Sequence, residues 1–250
     1  MRNGQAGPIR DLSPLILALD SGDLAEARAD ALEVREYVDV VKVGLQLFLT
    51  EGPDAVDALK SDGFEVFLDL KLHDIPNTVA SAIPPLCRME PLMMTVHTTG
   101  GREMMRAAVA AVSEYCEGSD LRTPLLIGVT VLTSLNVQAL KMIGFNDPVE
   151  KHVLGLARLA NESGLDGLVT SPLETLSVRK EVGAGMLLIT PGVRLAGVEN
   201  DDQARVATPG EALRSGADFF VAGRPLTKAA DPKAAAREML TGEMGSGLES

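Results

Sequence analysis

The sequence contains no Trp, and aromatic residues make up only 3% of its 250 positions. A core in a chain of this length must therefore be built from Leu, Val, Ile, Ala and Met. Cysteine is almost absent: Cys87 and Cys116 stand alone, and no C-x-x-C motif occurs. Both fall in stretches with helical spacing, and a reducing, cytoplasmic compartment with both as small core hydrophobes is the expectation. Positive charge is in deficit, with 23 Lys and Arg against 35 Asp and Glu, a formal net charge of −12. That excludes DNA or RNA as a partner, because such binding needs a basic face to release counterions. A small anionic substrate stays open if a few Arg and Lys are gathered locally. Long apolar runs are also missing: none approaches a membrane span, and MRNGQAGPIRDLSP has no apolar h-region, so neither a membrane anchor nor a signal peptide is expected.

Short apolar runs, by contrast, recur along the whole chain. They are LILALD (15–20), VDVVKVG (38–44), FEVFLDLK (64–71), LMMTVHT (92–98), LLIGVTVL (125–132), DGLVTS (166–171), GMLLITPG (185–192) and DFFVAGR (218–224). Most are separated by segments with apolar residues at helical spacing, such as DLAEARADALEVREYV (23–38) and GREMMRAAVAAVSEYC (101–116). Near-continuous apolar strands are those covered on both faces, so the sheet is expected to be parallel. Eight β-α units in this length predict an α/β fold, a single-domain (β/α)8 TIM barrel, with an open doubly wound sheet as the alternative. The barrel is assigned to residues 14–240. Residues 1–13 are read as a flexible extension without a role, and residues 241–250 as a flexible Gly- and Ser-rich tail.

A barrel places its chemistry where its strands end. The polar residues there are Asp20, Lys42, Asp69, Lys71, His97, Thr133, Arg194 and Arg224, each at or just beyond the end of a run. The most unusual run is the third. Alternate residues of a strand share a face, so Asp69 and Lys71 point one way and Leu68, Leu70 and Leu72 the other. A buried ion pair is weak support for stability, so a catalytic use is the stronger reading. Asp74 precedes Ile75 and Pro76, which also reads as a helix N-cap. Asp20, before Ser21-Gly22-Asp23, reads as a cap as well. At the other side of the chain, the seventh and eighth runs end in TPGVR and AGRP. Gly192 and Gly223 would let backbone amides approach an anion, and Arg194 and Arg224 supply bidentate charge, so these loops are the expected phosphate site.

The stretch DLKLHDIPNT (69–78) resembles the D-x-K-x-x-D and I-P-N-T signature of orotidine 5′-phosphate decarboxylases. LALD (17–20), KVG (42–44), VHTTGG (96–101), VTVLTS (129–134), TPGVR (190–194), DDQARVATP (201–209), GAD (216–218) and VAGRP (221–225) resemble the same family, in order, from about Leu15 to Pro225. The resemblance implies loss of CO2 from C6 of orotidine 5′-monophosphate to give UMP, with no cofactor and no metal, so placed charges must supply the catalysis. It implies that Lys71 protonates C6 and that Asp69 lies near the leaving carboxylate, within an alternating Lys42-Asp69-Lys71-Asp74 array in which each charge is paired. It further implies a homodimer in which Asp74 and Thr78 reach the neighbouring subunit's site. Asp20 and Lys42 would contact the ribose, Thr133 the pyrimidine edge, and Ile75 the substrate. Gln203 would join phosphate and pyrimidine from a lid over 194–209, where Leu195-Ala196-Gly197 departs from the Pro the family more often shows.

Two rivals differ in chemistry. Related phosphate-sugar decarboxylases and hexulose-phosphate synthases share D-x-K-x-x-D but use magnesium and lack the I-P-N-T continuation. A non-catalytic nucleotide or sugar-phosphate binder would have no need of Lys71 between two carboxylates. Among the histidines, His97 is expected to be hydrogen-bonded and structural, His73 to lie past the strand, and His152 to pack on a helix or the surface.

Overall fold

The computed structural model describes residues 9–195 and 207–241. Each of the eight apolar runs supplies one strand: β1 (Leu15–Leu19), β2 (Val40–Gly44), β3 (Glu65–Leu72), β4 (Met93–His97), β5 (Leu125–Val129), β6 (Gly167–Val169), β7 (Leu187–Pro191) and β8 (Phe219–Ala222). They form a closed parallel barrel in chain order. Closure is made by β1 and β8, paired through Leu15↔Phe220, Ile16↔Val221 and Leu17↔Ala222, which removes the open-sheet alternative. Alternation along the strands divides the core. On β1, Leu17 and Leu19 pack outward among the helices, while Ile16 and Ala18 pack into the interior.

The helices that cover the barrel start where side chains can take up their free N–H groups. Asp23 caps the helix Leu24–Glu33 by accepting the Glu26 N–H at 2.8 Å. Ser171 caps Pro172–Val182 with Pro at its first position. Thr208 and Glu211 form a reciprocal capping box on Pro209–Arg214. Cys87 and Cys116 close the helices Pro76–Cys87 and Gly101–Cys116, and both are buried and neither is disulfide-bonded. Among the described residues, no helix is long and apolar enough to cross a membrane.

Residues 9–13, read from the sequence as a flexible extension without a role, seat against the N-terminal ends of the strands. Ile9 is buried in the same cluster as Phe67, Met93 and Phe219 inside the barrel. Arg10 donates to the Ala184 carbonyl at 2.7 Å and pairs with Asp218 at 2.9 Å. Asp218 also takes Arg179 at 2.6 Å and the Leu188 N–H at 2.8 Å. An apolar side chain at the floor and a shared carboxylate beside it hold this segment in place. Residues 1–8 and 242–250 lie outside the described residues.

Candidate active site

The C-terminal ends of the strands open on a cavity of about 650 Å³, within the range of ligand pockets for small molecules. Asp20, Lys42, Asp69, Lys71, Thr133, Arg194, Gly223 and Arg224 all line it. These residues come from β1, β2, β3, β5, β7 and β8 or the loops after them, so barrel closure brings together residues more than 200 positions apart.

The charged strand has an irregular path. β3 pairs with β4 through Leu68↔Met94 and again through Leu72↔Val96. Three residues of β3, Asp69 to Lys71, therefore lie opposite the single residue Thr95. Such a bulge re-aims side chains and is common beside active sites. Lys71 carries φ of 52°, a left-handed backbone that costs a non-glycine residue about 1–2 kcal/mol. The result is that Asp69 and Lys71 meet: Lys71 Nζ donates to Asp69 Oδ2 at 2.7 Å.

Lys42 Nζ reaches the same Asp69 oxygen at 3.6 Å and Asp20 Oδ1 at 3.4 Å. Within one chain the array therefore reads Asp20-Lys42-Asp69-Lys71. Burial pushes the Asp69 carboxyl up, but the charges of Lys42 and Lys71 and the bonds from Lys71 and Thr95 outweigh it, so the group is held below the usual carboxylate range. Gly223 keeps room beside this array, since a Cβ there would lie 3.3 Å from both Asp20 Oδ2 and Ala18 Cβ.

The loops after β7 and β8 bring Gly192, Arg194, Gly223 and Arg224 to the same cavity. Gly192 has φ of 78°, which only glycine adopts without strain. In a ring of eight strands, β7 stands directly across from β3. Arg194, after β7, thus stands across the mouth from the Asp69–Lys71 pair, while Arg224, after β8, stands next to the end of β1.

Several sequence-predicted residues lie elsewhere. Asp74, Ile75 and Thr78 follow β3, are exposed, and do not line the cavity of their own chain. Asp74 is not the N-cap of Pro76–Cys87: that position is Ile75, and the Asp74 carboxylate accepts the Ile75 N–H at 2.6 Å instead. Asp20 is likewise not a cap, because the N-cap of the following helix is Asp23, three residues later. Gln203 and most of the proposed lid lie outside the described residues. His97 lies against His73 with ring centroids 5.2 Å apart, yet its buried Nδ1 has no hydrogen-bond partner among the described residues, so the expected hydrogen-bonded role is not met at that atom. Burial first, then the neighbouring His73 and Lys71, lower its basicity against the pull of Asp69. His152 packs edge-on to Phe145 at 4.6 Å and accepts the Asp147 N–H.

Sequence reasoning also missed residues. Thr170, Ser171 and Lys228 line the cavity. Thr95, fully buried under it, touches both members of the ion pair. Its one signal in the sequence is phase, two residues before His97 on the strand beside the charged run.

A closed parallel barrel with an alternating charge array and two Gly-Arg loops at one mouth defines a (β/α)8-barrel enzyme for a small anionic ligand. The model of the orotidine 5′-phosphate decarboxylase / HUMPS family matches residues 13–239. The chain belongs to this family. It is 47% identical over 235 residues to the orotidine 5′-phosphate decarboxylase of Syntrophotalea carbinolica, covering 94% of this chain and 96% of that relative. It is 50% identical over 225 residues to that of Anaeromyxobacter sp. (strain K), covering 90% and 96%. The crystal structure of orotidine 5′-phosphate decarboxylase from Lactobacillus acidophilus superposes with a TM-score of 0.80 at 34% identity, covering 94% of this chain and all of that one.

Proposed function

We propose that this protein decarboxylates orotidine 5′-monophosphate to UMP and CO2, a step of pyrimidine biosynthesis, and that Lys71 protonates C6. The observation that carries the reading is the Asp20-Lys42-Asp69-Lys71 chain, whose buried carboxylate has an ammonium 2.7 Å away. The names of the relatives support the same substrate. With the phosphate held by Arg194 and Arg224, the ring of the ligand reaches across to β3. The substrate carboxylate on C6 then lies toward Asp69 and Lys71. Breaking the C6–carboxyl bond leaves its electron pair on C6 and releases CO2. Lys71 stabilises that charge and gives C6 its proton, and solvent reprotonates the amine. The reaction balances with no oxidant and no electron sink.

The second part of the reading is a homodimer. Ile75 is 65% exposed at the lip beyond β3, beside exposed Asp74 and Thr78. An apolar residue so exposed between two polar ones suits a partner's surface, and Asp74 and Thr78 would complete the partner's array. Asp20 and Lys42 serve the ribose and Thr133 the pyrimidine edge. Two buried thiols outside any disulfide suit a reducing, cytoplasmic setting.

The test is to mix EDTA-treated protein with orotidine 5′-monophosphate in D2O and follow the orotate absorbance. Loss of the absorbance, with UMP carrying deuterium at C6, is the expected result. No conversion by folded protein, or conversion only after magnesium is restored, would overturn the reading.

A further inference from the structure

We infer that Thr95 is a positioning residue that holds Asp69 and Lys71 in their reactive arrangement. The inference rests on the decarboxylase reading for its consequence, and on geometry alone for its structure. The bulge leaves Asp69, Leu70 and Lys71 opposite one residue of β4. A single peptide unit cannot satisfy three, and the Thr95 side chain makes up part of the deficit. Its hydroxyl accepts the backbone N–H of Lys71 at 2.7 Å and donates to Asp69 Oδ1 at 3.0 Å. One proton and one lone pair serve both bonds, so the two are compatible.

The other carboxylate oxygen, Oδ2, accepts from Lys71 Nζ at 2.7 Å. A ring therefore closes: from the Lys71 backbone to Thr95, from Thr95 to Asp69, and from Asp69 back to the Lys71 amine. The ring fixes the backbone and the amine of the same residue, and that residue sits in the left-handed region at φ of 52°. A strained backbone persists only where its surroundings over-determine it, and Thr95 is the group that does so here. Thr95 is 1% exposed and does not line the cavity, so it reaches a ligand only through Asp69 and Lys71.

Val has the shape of Thr without the hydroxyl, and Ser keeps the hydroxyl without the methyl. In Thr95→Val the Lys71 N–H and Asp69 Oδ1 lose their partner together. A misplaced reacting group of this kind lowers kcat by about 10- to 100-fold. KM stays within about threefold, because contacts that bind ground and transition states equally are untouched. Thr95→Ser recovers most of the lost kcat. Rates are normalised to UMP-binding sites, which removes any misfolded fraction. Amide exchange at Lys71, followed by NMR in the free protein, is the second arm. It is expected to quicken by at least about tenfold in Thr95→Val and to stay slow in Thr95→Ser, because the N–H loses the Thr95 hydroxyl that accepts it.

A Thr95→Val protein with wild-type kcat and slow Lys71 exchange would overturn the inference. So would a Thr95→Ser protein as impaired as Thr95→Val, since packing of the methyl would then be the cause. Failure of the wild type to turn over would sink the decarboxylase reading, while the exchange arm would still decide whether Thr95 holds Lys71.

Discussion

Replacing Lys71 by Met separates what this residue does for the fold from what it does for the chemistry. Met keeps much of the apolar stem and removes the charge and the proton. In the fold, Lys71 Nζ stands 2.7 Å from Asp69 Oδ2, a gross attraction of about 6 kcal/mol at an effective dielectric of about 20. Lys42 Nζ, 3.6 Å from the same oxygen, retains about 5 kcal/mol on that scale. Thr95 still donates to Oδ1, and Met has no charge to desolvate. Asp69 is therefore not stranded, and the net loss is expected to be about 1–2 kcal/mol rather than the roughly 3–5 of a carboxylate left alone. In a chain of this size that lowers Tm by roughly 2–8 °C. In the chemistry, a general acid contributes about 100- to 10,000-fold and a placed charge about 100- to 1,000-fold, so kcat falls by at least about 10,000-fold. The assay is orotate absorbance at saturating substrate, with Tm from calorimetry on the same preparation. A variant keeping more than about one-hundredth of the wild-type kcat would refute Lys71 as the proton donor. A Tm loss beyond about 12 °C would refute the account of a carboxylate still held by Lys42 and Thr95.

The Asp69 carboxyl is held low in the fold, so its contribution to stability is present above its unfolded value of about 3.9 and is lost as pH falls through the lower folded value. Urea titrations of wild type and Asp69→Asn should therefore differ most near neutrality and converge in acid; a gap that widens on acidification would reverse the sign. Asp218→Ala removes the shared partner of Arg179 and the Leu188 N–H, and should cost about 2–4 kcal/mol in urea unfolding with kcat unchanged. A parallel drop in kcat would show that the floor and the mouth are coupled. If Asp74 completes the partner's site, mixing inactive Lys71→Met with inactive Asp74→Ala chains should restore about a quarter of wild-type activity, since half of the dimers are mixed and each holds one intact site. No recovery after verified subunit exchange would place Asp74 in its own chain's chemistry or in none.

The barrel was legible because parallel strands covered on both faces leave near-continuous apolar runs, and all eight runs became strands. The charge array was legible because Asp69 and Lys71 interrupt such a run. What lay hidden depends on register and on long-range pairing. Thr is an ordinary strand residue, and only the alignment of Leu68 with Met94 and Leu72 with Val96 shows that Thr95 faces three residues at once. The caps were misplaced by one residue at Asp74 and by three at Asp20, because either carboxylate could cap and only the helix start decides. Arg10 finds the Ala184 carbonyl across 174 positions, a pairing that no local pattern announces.

The seat of residues 9–13 gives the molecule two functionally distinct poles. Arg10 meets Asp218 and Ala184 just ahead of β8 and β7, while the cavity opens where those strands end. A tether or carrier joined ahead of Ile9 thus takes hold at the pole away from the cavity, so immobilised protein presents its mouth to solution. The same separation lets an engineer strengthen the floor, through Ile9, Arg10 or Asp218, with no change to a side chain that a ligand meets.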